Sequence, residues 1–221
     1  MIQQIRRWNE IHAILMLAAA MVAIAVGTPD PMLIMAVGSF ALLFAMGYRH
    51  IAHLKPWGGL ANWVTMFRLI ALLLVVWQAA RLDAVIFVAA CVLIIAGDGI
   101  DGYLARKYHQ ETPFGAALDL EVDALFAALI ALLAWQWYNV GIWVLVAGLL
   151  RYGFVILLLV LGWNQRPKVH LREGKTIAVL FFLALLTPFL LPLAVSWWIL
   201  LVASLAIIYS FVREFVLLAR R

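Results

Sequence analysis

Charge is scarce in this chain. Only 12% of its 221 residues are Asp, Glu, Lys or Arg, against 67% that are hydrophobic, and the acids number just 11. A soluble domain carries roughly a quarter of its residues as charges. That shortage, with a mean hydropathy of +1.06, excludes an ordinary soluble domain and points to an integral membrane protein. Cysteine is nearly absent too. The single Cys91 lies in an apolar run, so no internal disulfide can form and the redox compartment is unreadable; it reads as a small core residue. No small-residue cleavage site closes the apolar run that follows the basic start Met1-Ile2-Gln3-Gln4-Ile5-Arg6-Arg7, so this run is expected to stay as a first helix. Short repeats and low-complexity tracts are missing as well.

What the chain has in abundance is apolar length. A helix needs about 20 apolar residues to cross a bilayer. By that measure the sequence predicts an all-α fold with about eight spans, near 11–28, 31–48, 61–80, 83–105, 114–138, 140–162, 175–193 and 195–218. Thr28-Pro29-Asp30-Pro31 turns the first two into a hairpin over residues 1–48. Residues 49–60, with Arg49, His50, His53, Lys55, Pro56, Gly58 and Gly59, read as an interfacial connector, and residues 61–221 read as a six-helix bundle.

Cations set the expected orientation, because short cytoplasmic loops carry excess Lys and Arg. With the N-terminus inside, Arg6, Arg7, Arg49, Lys55, Arg68, Arg106, Lys107, Arg166, Lys168, Arg172, Lys175, Arg213, Arg220 and Arg221 fall on or near the cytoplasmic side. Only Arg81 falls outside. Both termini are then cytoplasmic, in the inner or plasma membrane for a bacterial chain. The net charge of +5 reads as a topology signal and an attraction to anionic lipid, not as a nucleic-acid surface.

Against this background Asp98, Asp101, Asp119 and Asp123 stand out. Each carboxylate near the hydrocarbon costs about 2.5–3.5 kcal/mol, so a cluster needs cations, water or hydrogen-bond donors. At about 100° per residue Asp98 and Asp101 share one helix face, as do Asp119 and Asp123, so two faces can converge on one pocket. Glu121 points away from that face. Hard oxygen ligands select Mg²⁺, Mn²⁺ or Ca²⁺ over zinc, and a phosphate-bearing substrate would complete the coordination. Gly102, Ala105 and Gly115 leave room for a bulky ligand against helix backbone, although small residues also serve plain helix packing.

From Asp98 to Asp123 the sequence reads D-x2-D-G-x2-A-R-x8-G-x3-D-x3-D. It resembles, at every fixed position, the signature of the CDP-alcohol phosphotransferase family, also called CDP-alcohol phosphatidyltransferases. With fixed-residue frequencies of roughly 5% each, a chance match is on the order of 10⁻¹⁰ per register. Asn62, Thr65 and Arg68 also look like the family's N-x2-T-x2-R opening, a weaker signal. The resemblance implies a six-helix core and a homodimer. It further implies two divalent ions, Mg²⁺ or Mn²⁺, held by Asp98, Asp101, Asp119 and Asp123. Asp123 would be the general base, and Gly102, Ala105, Arg106 and Gly115, with Asn62, Thr65 and Arg68, would accommodate the CDP donor. The N-terminal hairpin lies outside that core and inherits no role.

The expected reaction moves a phosphatidyl group from CDP-diacylglycerol to an alcohol, releasing CMP. A site at the inner interface suits a donor whose nucleotide stays toward the cytosol while its chains stay in lipid. Arg151, in mid-span, with Arg172 and Lys175 offers cations for an anionic acceptor such as glycerol phosphate or inositol phosphate. Serine, choline or another lipid alcohol stays open. So do a CDP-amino-alcohol transferase acting on a lipid alcohol, a non-catalytic lipid-binding or scaffold protein, and a cation transporter.

Overall fold

Apolar periodicity of helical length dominates the computed structural model, which describes residues 2–52, 54, 58–163 and 172–219. Among the described residues there is no strand, and the chain is all-α. The long helices are α1 (Ile2–Val26), α2 (Asp30–Ile51), α3 (Leu60–Gln78), α4 (Ala84–Lys107) and α5 (Pro113–Tyr138). They are followed by α6 (Trp143–Gly148), α7 (Leu150–Val160), α8 (Arg172–Leu185) and α9 (Leu193–Ala219). Five of these helices are long and apolar enough to cross a membrane: α1 to α4 and α9. The expected spans correspond to helices with two differences: the sixth is not continuous over 140–162 but breaks at Leu149 into α6 and α7, and the seventh, expected over 175–193, is helical only to Leu185 and then turns at Thr187–Phe189.

By compactness the chain forms two units, Met1–Phe126 and Ala127–Arg221, divided within α5. In the first unit α1 and α2 form the expected hairpin. Gly27, at φ +80, ends α1, and Pro31 in the first turn of α2 needs no N–H there. Ala13, Ala20, Ala23 and Ala36 are fully buried, the small-residue packing by which helices approach in lipid. Polar groups tie the two helices as well: Trp8 Nε1 donates to the Ser39 carbonyl at 2.9 Å, and His12 Nδ1 lies 2.7 Å from Ser39 Oγ. Ile14, Met21, Ile34 and Val37 remain exposed, as lipid-facing side chains should.

The pairing of α3 with α4 explains where the polar residues meet. The buried stripe of α3 begins polar, at Asn62, Thr65 and Arg68, and continues apolar through Leu69, Leu72 and Val76. The stripe of α4 runs the other way, from Phe87, Cys91 and Ile94 to Asp98 and Asp101. An antiparallel pairing therefore joins apolar to apolar and polar to polar. The turn between them is closed by Asp83, whose carboxylate accepts the Val85 N–H at 2.8 Å and caps α4.

At the far end of α4, His109 adopts φ +52 and the Gln110 N–H reaches the Ala105 carbonyl at 2.9 Å, ending the helix. Thr112 Oγ1 then accepts the Gly115 N–H at 3.0 Å and starts α5. Gln110 Oε1 also accepts the Leu60 N–H at 2.8 Å, tying this loop to the start of α3. On the other side, α2 holds α5: the Phe114 ring is fully buried against Gly47 and meets Phe44 edge-on at 5.6 Å.

The second unit is held by aromatic contacts and one close backbone approach. Gly148 packs on Ala131, and a Cβ there would stand 2.9 Å from the Ala127 carbonyl oxygen. Tyr138 meets Phe189 at 5.0 Å, Trp143 meets Trp197 at 6.0 Å, and Trp163 stacks on Phe215 at 5.3 Å. Asn139, at φ +51, falls between the fifth and sixth expected spans.

Candidate functional site

Four acids and one arginine form the centre of the first unit. Asp98 and Asp101 come from the last turns of α4, Asp119 and Asp123 from the second and third turns of α5, and Arg68 from the polar end of α3. Arg68 is 4% exposed and fully engaged. Its Nη1 donates to Asp101 Oδ2 at 2.9 Å and to Asp119 Oδ1 at 2.7 Å, and Nη2 donates to Asp123 Oδ1 at 2.6 Å. Asp98 Oδ1 stands farther off, 3.9 Å from Nη1. Charge-assisted bonds of this length are the strong class, and they meet the cost of bringing the acids together at the edge of an apolar bundle.

Asp98, Asp119 and Asp123 each offer one oxygen within 4.8 Å of the others, close enough to hold a metal ion. Asp101 lies outside that triad. One of its oxygens takes both Thr65 Oγ1, at 3.0 Å, and Arg68. The donor set is all carboxylate, which fits a hard divalent ion such as Mg²⁺ or Mn²⁺. Glu121, on the same helix as Asp119 and Asp123, is buried at 1% exposed.

The remaining residues of the motif sort by accessibility. Arg106 is exposed, and Gly102, Ala105 and Gly115 are half-buried. Asn62, Thr65 and Arg68 are buried and bonded within the chain. Asn62 Nδ2 donates to the Gly58 carbonyl at 2.7 Å, and its Oδ1 lies 2.6 Å from where a Cβ on Gly115 would stand. Glycine at 115 therefore lets α5 approach α3. Sequence reasoning grouped these three side chains with the donor site, and it did not anticipate that Arg68 binds the acids themselves. The signal was present in the i, i+3, i+6 spacing of 62, 65 and 68, but naming the partner required knowing that α3 pairs with α4.

Of the cations expected to serve the acceptor, Arg151 is half-buried in the first turn of α7, beside the break at Leu149, and Lys175 is exposed on α8. Both belong to the second unit. The Arg172 side chain, like Arg166, Lys168 and His170, lies outside the described residues.

The chain is 37% identical over 87 residues to a CDP-diacylglycerol–glycerol-3-phosphate 3-phosphatidyltransferase of Yersinia enterocolitica, covering 36% of this chain and 45% of that protein. It is 36% identical over 86 residues to the protein of the same name from Yersinia pestis, covering 35% and 44%. The chain thus spans a little under half the length of the curated relatives it matches. No solved structure matches it. The CDP-alcohol phosphatidyltransferase family model matches residues 59–209, which begin beside α3 and take in every motif acid, and the chain belongs to that family.

Proposed function

We propose that the chain transfers a phosphatidyl group from CDP-diacylglycerol to a phosphorylated polyol of the glycerol phosphate class and releases CMP. The observation that carries this reading is the convergence of Asp98, Asp101, Asp119 and Asp123 from two helices beside an accessible Arg106 and the small residues Gly102, Ala105 and Gly115. The names of the Yersinia relatives favour glycerol phosphate over the other acceptors. A CDP-amino-alcohol donor is the second reading. It is the weaker one, because both Yersinia relatives are named for CDP-diacylglycerol as the donor.

Asp98, Asp119 and Asp123 would hold the divalent ions, with Asp101 steadying the cluster through Arg68 and Thr65. Bound there, Mg²⁺ or Mn²⁺ would neutralise the diphosphate and the charge that develops on the leaving CMP. Asp123 takes the proton of the acceptor hydroxyl as its oxygen attacks the lipid-linked phosphorus. The bond from that phosphorus to the bridging oxygen breaks, and CMP departs with its electrons. Arg106 faces the nucleotide phosphates, and Gly102, Ala105 and Gly115 give the nucleotide room. Asn62 and Thr65 act by positioning α5 and Asp101. Arg151, Arg172 and Lys175 recruit the anionic acceptor. The positive-inside pattern supports a cytoplasmic site with both termini inside, and the family resemblance supports a homodimer.

Purified protein incubated with CDP-diacylglycerol, Mg²⁺ or Mn²⁺ and a panel of alcohols tests the proposal, with lipid products read by mass. A phosphatidylglycerol phosphate product supports it. Products from choline or serine alone would redirect the acceptor assignment, and no CMP release with any acceptor would refute it.

A further inference from the structure

Arg68 occupies a seat that the chain builds for it. Its Nε donates to the Ile94 carbonyl at 3.0 Å, which fixes the guanidinium against α4. The stem lies over Gly97, where a Cβ would stand 2.9 Å from Arg68 Cδ and 3.0 Å from Cγ. Thr65, one turn earlier on α3, donates to the same Asp101 oxygen that takes Nη1. From this seat the guanidinium reaches Asp119 and Asp123 at 2.7 and 2.6 Å.

Two sets of carboxylates therefore overlap. The arginine holds Asp101, Asp119 and Asp123, whereas the triad spaced for an ion is Asp98, Asp119 and Asp123. An oxygen that accepts a guanidinium N–H cannot at the same time take a hard ion at about 2.1 Å along the same direction, and the two cations repel. Asp119 and Asp123 are contested, while Asp101 and the Ile94 carbonyl hold the arginine from outside the ion triad. On the basis of the metal-dependent reading above, we propose that Arg68 is the resident counter-cation of the acid site. It holds the acids together before divalent ions arrive, gives up Asp119 and Asp123 as the ions bind, and stays moored to α4 through Asp101 and the Ile94 carbonyl. Arg68 is thus a positioning residue that sets ion affinity by competition.

The test measures Mn²⁺ binding by electron paramagnetic resonance on wild-type protein, Arg68→Gln, Arg68→Lys and Gly97→Ala, with thermal unfolding in chelator and in saturating Mn²⁺. Removing the competing charge should make Arg68→Gln bind Mn²⁺ about tenfold tighter or more. Its fall in Tm should be larger in chelator than in Mn²⁺. Arg68→Lys, which keeps the charge, should stay closer to wild type. Gly97→Ala pushes the stem from its seat and should also tighten Mn²⁺ binding with the arginine still present, so it decides the matter if Arg68→Gln does not fold. Unchanged or weaker Mn²⁺ affinity in Arg68→Gln and Gly97→Ala, or equal Tm losses in both conditions, overturns the competition. Wild-type protein that binds no Mn²⁺ at all would instead refute the metal-dependent reading, and this inference with it.

Discussion

Replacing Asp123 with Asn separates the chemistry of this site from its architecture. Asp123 Oδ1 accepts Arg68 Nη2 at 2.6 Å, and an asparagine can present its amide oxygen to the same donor, so the tie between α3 and α5 survives in weaker form. What cannot survive is the proton acceptor, because an amide oxygen is not a base near neutral pH. General-base catalysis contributes about 10² to 10⁴ in rate, or about 2.7–5.4 kcal/mol of barrier. Asp123→Asn should therefore slow CMP release by about that factor under saturating Mg²⁺, in single-turnover assays that remove product release from the measurement. Donor affinity should change far less than turnover, and the purified variant should unfold cooperatively near the wild-type temperature. Since one charge leaves the ion triad as well, the ion titration must be repeated for the variant so that turnover is compared at full occupancy. Near-normal turnover at that occupancy would refute the assignment of Asp123 as base.

Chelation should stop transfer, and Mg²⁺ or Mn²⁺ should restore it; Asp98→Ala or Asp119→Ala should weaken ion binding and donor binding together, measured by titration on the same preparations, and full activity in metal-free protein would reject the scheme. Gly115→Ala puts a Cβ against Asn62 Oδ1, displacing an amide that bonds Gly58, and should destabilise the protein by about 1–3 kcal/mol in thermal or denaturant unfolding. An unchanged stability would show that the α3–α5 approach is slacker than the geometry implies. Arg151→Ala and Lys175→Ala should raise the apparent acceptor constant more than the donor constant in initial-rate kinetics, whereas a donor or stability defect with unchanged acceptor dependence would remove both from the acceptor site.

The acids were legible in the sequence because helix geometry turns spacing into direction. Separations of three and four residues put Asp98 with Asp101 and Asp119 with Asp123 whatever the rest of the fold does. Arg68 was legible only in part. Its presence near the polar start of a span could be read, but its acidic partners lie at least 30 residues away, and contact at that separation depends on helix pairing. The hairpin turn was visible in Pro29 and Pro31, yet the residue that ends α1 is Gly27, whose positive φ leaves no mark on composition. Likewise the break at Leu149 follows from no proline. It sits beside Gly148, where α6 meets the Ala127 backbone, and such an approach is a tertiary fact. The hairpin itself was assigned no role from sequence. Phe44 and Gly47 seat Phe114 next to Gly115, so the added helices reach the start of α5, the helix that carries Asp119 and Asp123.

The most direct measurement of the central claim is CMP release by the purified wild-type protein, with CDP-diacylglycerol as donor and glycerol phosphate as acceptor, in the presence and absence of Mg²⁺ or Mn²⁺. The account predicts one CMP formed for each phosphatidylglycerol phosphate, in a reaction that needs both the acceptor and the ion. Protein that binds the donor and ions but releases no CMP with glycerol phosphate or any other alcohol would contradict it.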